Sequence, residues 1–246
     1  MKQNTYILSR LALKGKNFNM TPKWIRNRLN LFENTCYKSI CEQTDQNFKW
    51  FLCSTESMLT QEQVARLKTL SKDNIRFVFL EDKKSWQTFL REIIKEESKN
   101  VDKVLTMRVD SDDILAHDFV EVAKNLSLKT KQNNDVVINY SSGYEFFNKQ
   151  NRFVLRSRRD TNMFISLSED AKKDEYKLCI FDQHPRMNKH FDVIQWNDRP
   201  MWLQLLHGKN IYTHRPMGKQ RITELEDIKS RFSNEDLSDV IRNSFE

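Results

Sequence analysis

Glycine is scarce in this chain: four residues in 246. None of them falls in a Gly-x-Gly-x-x-Gly or Gly-Lys-Ser/Thr arrangement, which argues against a dinucleotide-binding Rossmann enzyme and against a P-loop NTPase. Both need glycine so that backbone amides can approach phosphates. Cysteine is equally sparse, and Cys36, Cys41, Cys53 and Cys179 form no Cys-x-x-Cys pair and no Cys/His spacing suited to zinc. The same pattern argues against a disulfide framework, and reduced thiols in a cytoplasmic setting (the host cytoplasm if the chain is phage-encoded) are expected. No apolar run approaches the length of a membrane span. Met1-Lys-Gln-Asn-Thr leads directly into a strand-like run, unlike a signal peptide. Repeats, low-complexity tracts and clean linkers are also missing. The expectation is a single domain over residues 1–246 with no obligate protein partner, its length enough for a sizeable core.

Charge is plentiful. Lys and Arg number 41 against 34 Asp and Glu, a net charge of +7. That balance favours anionic partners such as a nucleotide, a nucleic acid or an acidic membrane face. The charges are spread along the chain, so solubility alone accounts for them equally well.

The first half alternates strand and helix signals. Thr5–Leu8 reads as a strand. Thr21-Pro22 opens a helix, with Thr as N-cap and Pro at the first helical position. Ile25, Leu29, Phe32, Cys36 and Ile40 form one apolar stripe along it, with Arg26, Arg28 and Lys38 largely off the stripe. Phe48–Cys53 and Ile75–Leu80 read as further strands. Between them, Thr60 and Gln63 form a capping box before a helix carrying Val64, Leu67 and Leu70. Ser85 caps a helix burying Trp86, Phe89, Leu90, Ile93 and Ile94. Val104–Val109 is the fourth strand, and Phe119, Val122, Ala123 and Leu126 mark the next helix. Four such alternations predict an α/β fold with a mainly parallel sheet and helices on both faces. In the second half, Val136–Tyr140 reads as a strand, Gly143 as a turn, and Tyr144–Phe147 with Arg152–Arg156 as an antiparallel pair. Pro200–Leu206 suits a short helix stopped near Gly208. The tail from Thr223 onward is charged and helical in pattern.

The stretch Val104-Leu-Thr-Met-Arg-Val-Asp-Ser-Asp-Asp113 stands out. A buried-type strand runs into three carboxylates within four positions, Asp110, Asp112 and Asp113. Carboxylates this close repel one another, and a hard divalent cation among them is the natural relief. In open α/β sheets ligands bind beyond the carboxyl ends of strands, so the turn reads as a metal and phosphate site. An Asp-rich turn capping the next helix is the plain structural alternative.

The ordered set Tyr6-Ile-Leu-Ser-Arg10, Trp24-Ile-Arg-Asn-Arg28 with Phe32-Glu33, Ser39 with Gln43-Thr44, Phe48-Lys-Trp50 and Met107-Arg-Val-Asp-Ser-Asp-Asp113 resembles the rhamnosyltransferase family of GT-A glycosyltransferases. Asn162-Met-Phe-Ile-Ser-Leu-Ser-Glu169 and Met201-Trp-Leu-Gln-Leu-Leu-His-Gly208 extend the likeness from residue 5 to about residue 210. The resemblance implies a GT-A-like mixed sheet, with residues 1–128 as the nucleotide-sugar-binding half and 129–246 as the acceptor-side half and C-terminal tail. It also implies Mn²⁺- or Mg²⁺-dependent transfer from a UDP-, dTDP- or GDP-sugar, with the cation stabilising the leaving diphosphate. Asp112 is then the metal ligand, Asp110 faces ribose or a metal-bound water, and Asp113 supports the turn. Arg108 and Arg10 belong to the cofactor-binding set, although Arg108 fits a structural ion pair with Asp110 or Asp113 as well. His207 is the candidate C-terminal metal ligand, with His214 its competitor. Ser168-Glu169-Asp170 resembles the element that carries the base in inverting enzymes, which leaves Asp170 or Glu169 for that role. Asp182 with His184, and Asp198, are spare candidates.

Arg152, Arg156, Arg158 and Arg159 form a basic cluster where an acceptor could approach. A solvated face is the bland account of it; phosphate contacts from Arg156, Arg158 and Arg159 are the sharper one. Trp196, Trp202 and Phe164 could stack on a sugar or base, though so many aromatics usually build a core. A saccharide acceptor leads. The alternatives are transfer onto a hydroxymethylated pyrimidine of DNA, which a duplex must flip out, and a non-enzymatic basic nucleic-acid-binding module.

Overall fold

Three of the four apolar runs of the first half settle into parallel strands buried on both faces, and the run 75–80, half-buried, forms the edge. The structure, a computed structural model, describes residues 1–14, 20–157, 161–208, 210, 228–232 and 237–245. Strands β1 (Gln3–Arg10), β2 (Lys49–Thr55), β3 (Ile75–Leu80) and β4 (Lys103–Arg108) pair in parallel. Helices α1 (Pro22–Asn34), α2 (Cys36–Cys41), α3 (Gln61–Thr69) and α4 (Trp86–Glu97) connect them. After β5 (Ile114–Leu115) and α5 (Phe119–Lys129) come β6 (Val136–Tyr140), β7 (Ser142–Phe147), β8 (Arg152–Ser157), β9 (Ile165–Asp170), β10 (Asp192–Trp196) and β11 (Trp202–Leu206). A last helix, α6, spans Leu237–Phe245.

The main sheet has the order β10-β6-β9-β4-β1-β2-β3, and β9 alone in it runs antiparallel, between β4 and β6. One face packs on α1, α2 and α5 through Ile25, Leu29, Phe32, Ile40 and Phe119 against Ile7, Leu52 and Met107. The other packs on α4 through Leu90 and Ile94 against Leu8, Phe51 and Val104. This is the mixed, mainly parallel sheet with helices on both faces that the sequence predicts. Among the described residues, no helix is long and apolar enough to cross a membrane.

Local signals in the sequence act as expected at the helix starts. Thr21 Oγ1 accepts from the Trp24 N–H at 3.2 Å, with Pro22 following it. The Thr60–Gln63 capping box closes in both directions. Ser85 Oγ accepts from the Thr88 N–H at 3.4 Å. The stripe Ile25–Ile40, in contrast, is broken into two helices at Thr35, whose φ of −128° and ψ of −87° interrupt the spiral. Its hydroxyl donates back to the Leu31 carbonyl at 2.7 Å, a bond that competes with helix continuation.

Two expectations in the second half are corrected. Residues 202–206 form β11, not a helix, and β11 joins a four-stranded sheet of order β5-β11-β7-β8. Gly143 lies inside β7 and does not turn the chain. The two facts have one cause. The absent side chain at Gly143 leaves the space that the Trp202 indole fills, since a Cβ there would fall inside its rings. Trp202 then stacks on Phe164 with centroids 4.8 Å apart and donates from Nε1 to the Tyr140 carbonyl at 2.7 Å. A helical pattern read from Trp202, Leu205 and Leu206 could not anticipate a hole made by a glycine about sixty residues earlier. The hairpin of β7 with β8 is as predicted, in the register Tyr144↔Leu155 and Phe146↔Phe153.

Gly143→Ala should therefore destabilise the fold by about 2 kcal/mol or more, as forced overpacking does. Urea denaturation followed by tryptophan fluorescence measures this, and an unchanged midpoint would contradict the packing described.

Candidate active site at the acidic turn

Chain direction alone carries the acidic turn to the carboxyl edge of the parallel strands, because it follows β4 directly. The Asp113 N–H donates to the Asp110 carbonyl at 3.1 Å and closes the turn. The register Leu8↔Arg108 sets the end of β1 beside it. Arg10 and Arg108 lie on the α4 side of these two strands, following the alternation of Leu8 and Val104. Both reach Asp110. Arg108 Nη2 lies 3.2 Å from Asp110 Oδ1, and Arg10 Nε lies 3.9 Å from the same oxygen. The Arg10 side chain is 47% exposed, so it forms the solvent-facing rim of the group.

Asp112 points the other way, into the interior between α1 and the C-terminal segment. Both of its oxygens are held by the Arg28 guanidinium, with Nη1 on Oδ2 and Nη2 on Oδ1, the latter at 2.8 Å. Arg28 Nε adds a bond to Ser111 Oγ at 3.1 Å. His207 Nε2 lies 3.0 Å from Asp112 Oδ2, and Asn210 Nδ2 lies 3.3 Å from it. Gly208 makes this possible. With φ at +78° it turns the chain back after β11, and Asn210 closes the loop on the Leu205 carbonyl at 2.8 Å and on the His207 N–H at 3.0 Å. Phe245 of α6 lies over the His207 ring at 5.0 Å, and the His207 side chain is 1% exposed.

The three carboxyls accordingly differ in charge state. Burial pushes Asp112 up, yet the Arg28 charge and the His207 hydrogen bond outweigh it and hold the carboxyl down to about 2. Lost solvent likewise opposes ionisation of Asp110, but the charges of Arg108 and Arg10 keep it below its ordinary value. Asp113 goes the opposite way. Burial, then the charges of Asp112 and Asp110, raise it well above the carboxylate range, against the pull of the Leu205 N–H on its Oδ1 at 3.1 Å. The repulsion expected among three packed carboxylates is thus relieved by guanidinium groups and by the upward shift of one carboxyl.

As arranged, these residues do not fit Mn²⁺ or Mg²⁺. A hard divalent cation needs carboxylate oxygens with free lone pairs and room for water. Arg28 holds both oxygens of Asp112, Asp113 Oδ1 accepts from the Leu205 N–H on β11, and Asp110 faces two arginines. Among the described residues, no three His, Cys, Asp or Glu side chains gather as a metal site. Asp112 and His207 do come together, as the sequence predicts, but as partners of each other.

Other candidates are dispersed. Glu169 is level with Val104 and Asp170 with Lys103, at the start of β4. Asp110 lies six positions along nearly extended chain from Val104, about 20 Å. Neither carboxylate can serve as a base at the acidic turn. Glu169 instead accepts from the backbone N–H groups of Lys177 and Leu178 at 2.8 and 2.9 Å, and burial raises its carboxyl to about 7. The xGlu-Asp likeness is one of local sequence, and the antiparallel direction of β9 carries it to the wrong edge. Arg156 is engaged within the small sheet: its Nε donates to the fully buried Glu145 at 2.7 Å and its guanidinium lies over Phe147. Phe164 and Trp202 are core residues and cannot stack on a ligand. Arg158, Arg159 and His214 lie outside the described residues. A cavity of about 500 Å³ opens beside Asp135, Lys173, His190 and Asp192, at the amino ends of β6 and β10 and away from the turn.

Asp182 belongs to a segment that runs along the α4 side of β4. The Cys179 N–H bonds Thr106 Oγ1 at 2.8 Å, Gln87 at the start of α4 holds the Ile180 carbonyl at 2.7 Å, and Thr161 Oγ1 donates to the His184 carbonyl. Residues 179–184 therefore climb the α4 side of β4 towards Arg108. Asp182 Oδ2 lies 3.1 Å from His190 Nε2, which makes His190, not His184, its imidazole partner. The Gln183 N–H, then His190, lower its carboxyl below the ordinary value.

Arg28 is the residue that sequence reading missed. At i+3 from Ile25 and i−4 from Phe32 it borders the apolar stripe, and it ends the segment Trp24–Arg28 quoted for its family likeness. Either clue could have moved it inward.

The profile of the family described as "Putative rhamnosyl transferase" matches residues 10–220. No curated protein matches. Among solved structures, the chain is similar to TarS 1–349 of S. aureus in complex with UDP, at 12% identity and a TM-score of 0.46, over 82% of this chain and 60% of that one. It is also similar to 4-diphosphocytidyl-2C-methyl-D-erythritolsynthase of Anaerococcus prevotii, at 14% identity and a TM-score of 0.38, over 92% of this chain and 93% of that one. This chain thus spans about 60% of the length of the TarS 1–349 chain.

Two outcomes follow from the site. Arg28→Met should cost about 3–5 kcal/mol in urea denaturation, because it strands a buried carboxylate, whereas Arg28→Met with Asp112→Leu should recover much of the loss. Glu169 has a folded value raised above the unfolded one. Its contribution is fully present below about pH 4.5 and is lost as pH rises through about 7. Stability measured from pH 4.5 to 8 should fall less steeply in Glu169→Gln than in the wild type.

Proposed function

We propose that this chain, which belongs to the putative rhamnosyl transferase family, moves a sugar from a nucleotide-sugar donor to an acceptor hydroxyl. The observation that carries the reading is the pair Arg10 and Arg108 around Asp110, at the carboxyl ends of the adjacent parallel strands β1 and β4. That edge is where a nucleotide is received in a sheet of this type. Guanidinium groups there suit a diphosphate, offering planar pairs of N–H donors to its oxygens. Asp110, ionised and partly exposed, suits a ribose hydroxyl.

The reaction is a single displacement. The acceptor oxygen attacks the anomeric carbon, and the bond from that carbon to the diphosphate oxygen breaks with its electron pair left on the phosphate. The acceptor proton passes to the Asp182 carboxylate, which His190 orients. Attack opposite the leaving group inverts the anomeric centre. No step runs through a metal ion, because the Asp112 oxygens are taken by Arg28. The acceptor is a saccharide hydroxyl. With Arg156 committed to Glu145, less of the basic cluster remains for a polyanion such as modified DNA.

The test is a thermal-shift panel of UDP, dTDP and GDP, followed by mass spectrometry of transfer from the matching sugars to a mixed pool of saccharides and modified DNA. A stabilising shift with at least one nucleotide is expected. Asp182→Asn should lower kcat by about 10²–10⁴-fold with donor affinity retained, as for loss of a general base. A full panel without any shift would remove the glycosyltransferase reading, and an Asp182→Asn enzyme with wild-type kcat would remove the base.

A further inference from the structure

We infer that Arg28 permanently holds the cation position at Asp112, so that donor binding by this chain needs no divalent metal. This deepens the glycosyltransferase reading and rests on it. The argument starts from the capacity of a carboxylate, which is about four acceptor positions. Asp112 has four donors directed at it: two from Arg28 and one each from His207 and Asn210. Three of these donors converge on Oδ2 and one, from Arg28, on Oδ1, so Oδ2 is saturated and an ion on Oδ1 would have to sit against the Arg28 guanidinium and bring water into a space where the Arg28 side chain is 11% exposed and that of Asp112 is 6% exposed.

Two separate elements hold the guanidinium in place. Helix α1 carries it and sets the Trp24 ring 5.5 Å from its carbon, and the turn after β4 accepts its Nε at Ser111 Oγ at 3.1 Å. The Gly208 turn delivers His207 and Asn210 from β11, and α6 packs against α1 with Phe245 over His207. This arrangement resists exchange for a hydrated ion.

Charge bookkeeping agrees. Arg10 and Arg108 answer Asp110, and Arg28 answers Asp112, so the ionised pair has three cations within the chain. Arg10 is the least committed, at 3.9 Å from its partner, and is free to turn towards a diphosphate. A preorganised guanidinium can stabilise charge that develops on a leaving phosphate much as a metal would.

The decisive measurement is titration of wild-type protein with UDP, dTDP and GDP in EDTA and again in excess Mn²⁺, by calorimetry. The inference expects affinities within about twofold of each other in the two conditions, and weakening by Arg10→Ala in both. Tightening by Mn²⁺ of about tenfold or more, abolished in Asp112→Asn, would overturn it while leaving the glycosyltransferase reading intact. Absence of binding to every nucleotide in both conditions would instead count against that reading. A nucleotide-free arm uses Mn²⁺ alone, followed by electron paramagnetic resonance. Wild type should leave Mn²⁺ free, and Arg28→Gln should take up an ion that the further change Asp112→Asn removes. Uptake by wild type that Asp112→Asn abolishes would overturn the inference, and this result needs no Arg28 variant to fold.

Discussion

The Arg28–Asp112 ion pair joins three parts of the chain that are far apart in sequence: helix α1, the turn after β4, and the segment after β11. Its desolvation is costly, and it is sustained only because every oxygen of the carboxylate is matched by a donor. The rest of the site follows from that. With Asp112 drawn inward, Asp113 is pressed between two negative neighbours and the Leu205 N–H, and burial with those neighbours raises its carboxyl. Asp110 is left as the outward carboxylate, facing Arg10 and Arg108 at the strand edge.

This division separates support from contact with ligand. The interior half, built from Arg28, Asp112, His207 and Asn210, locks the small sheet onto the large one through β11 and the acidic turn. The outer half sets the Arg10 and Arg108 guanidinium groups and an ionised carboxylate at the strand edge, with residues 179–184 rising beside them. Rigid placement of the outer groups depends on the buried ones, since the turn that carries Asp110 also carries Asp112.

Much of the fold was legible from local pattern. Strand Ile75–Leu80 and strand Val136–Tyr140 have the predicted bounds, and all three helix N-caps named from Thr21, Thr60 and Ser85 are made. These are short-range effects, set by neighbours within a turn of helix or a single strand. Misreadings occur where a distant residue intervenes. Residues 202–206 look helical until Gly143 gives Trp202 its space, and Glu169-Asp170 look catalytic until the antiparallel run of β9 takes them to the start of β4.

The sequence by itself determined that a strand ends in three carboxylates at the ligand-binding edge of an α/β sheet, because periodicity and chain direction are local properties. It also supplied the family likeness that spans most of the chain. Only the tertiary structure decided what answers those carboxylates. Counter-charge depends on which side chains converge in space, and the Arg28 guanidinium, 84 residues before Asp112, and His207, 95 residues after it, meet there only once the two sheets have packed.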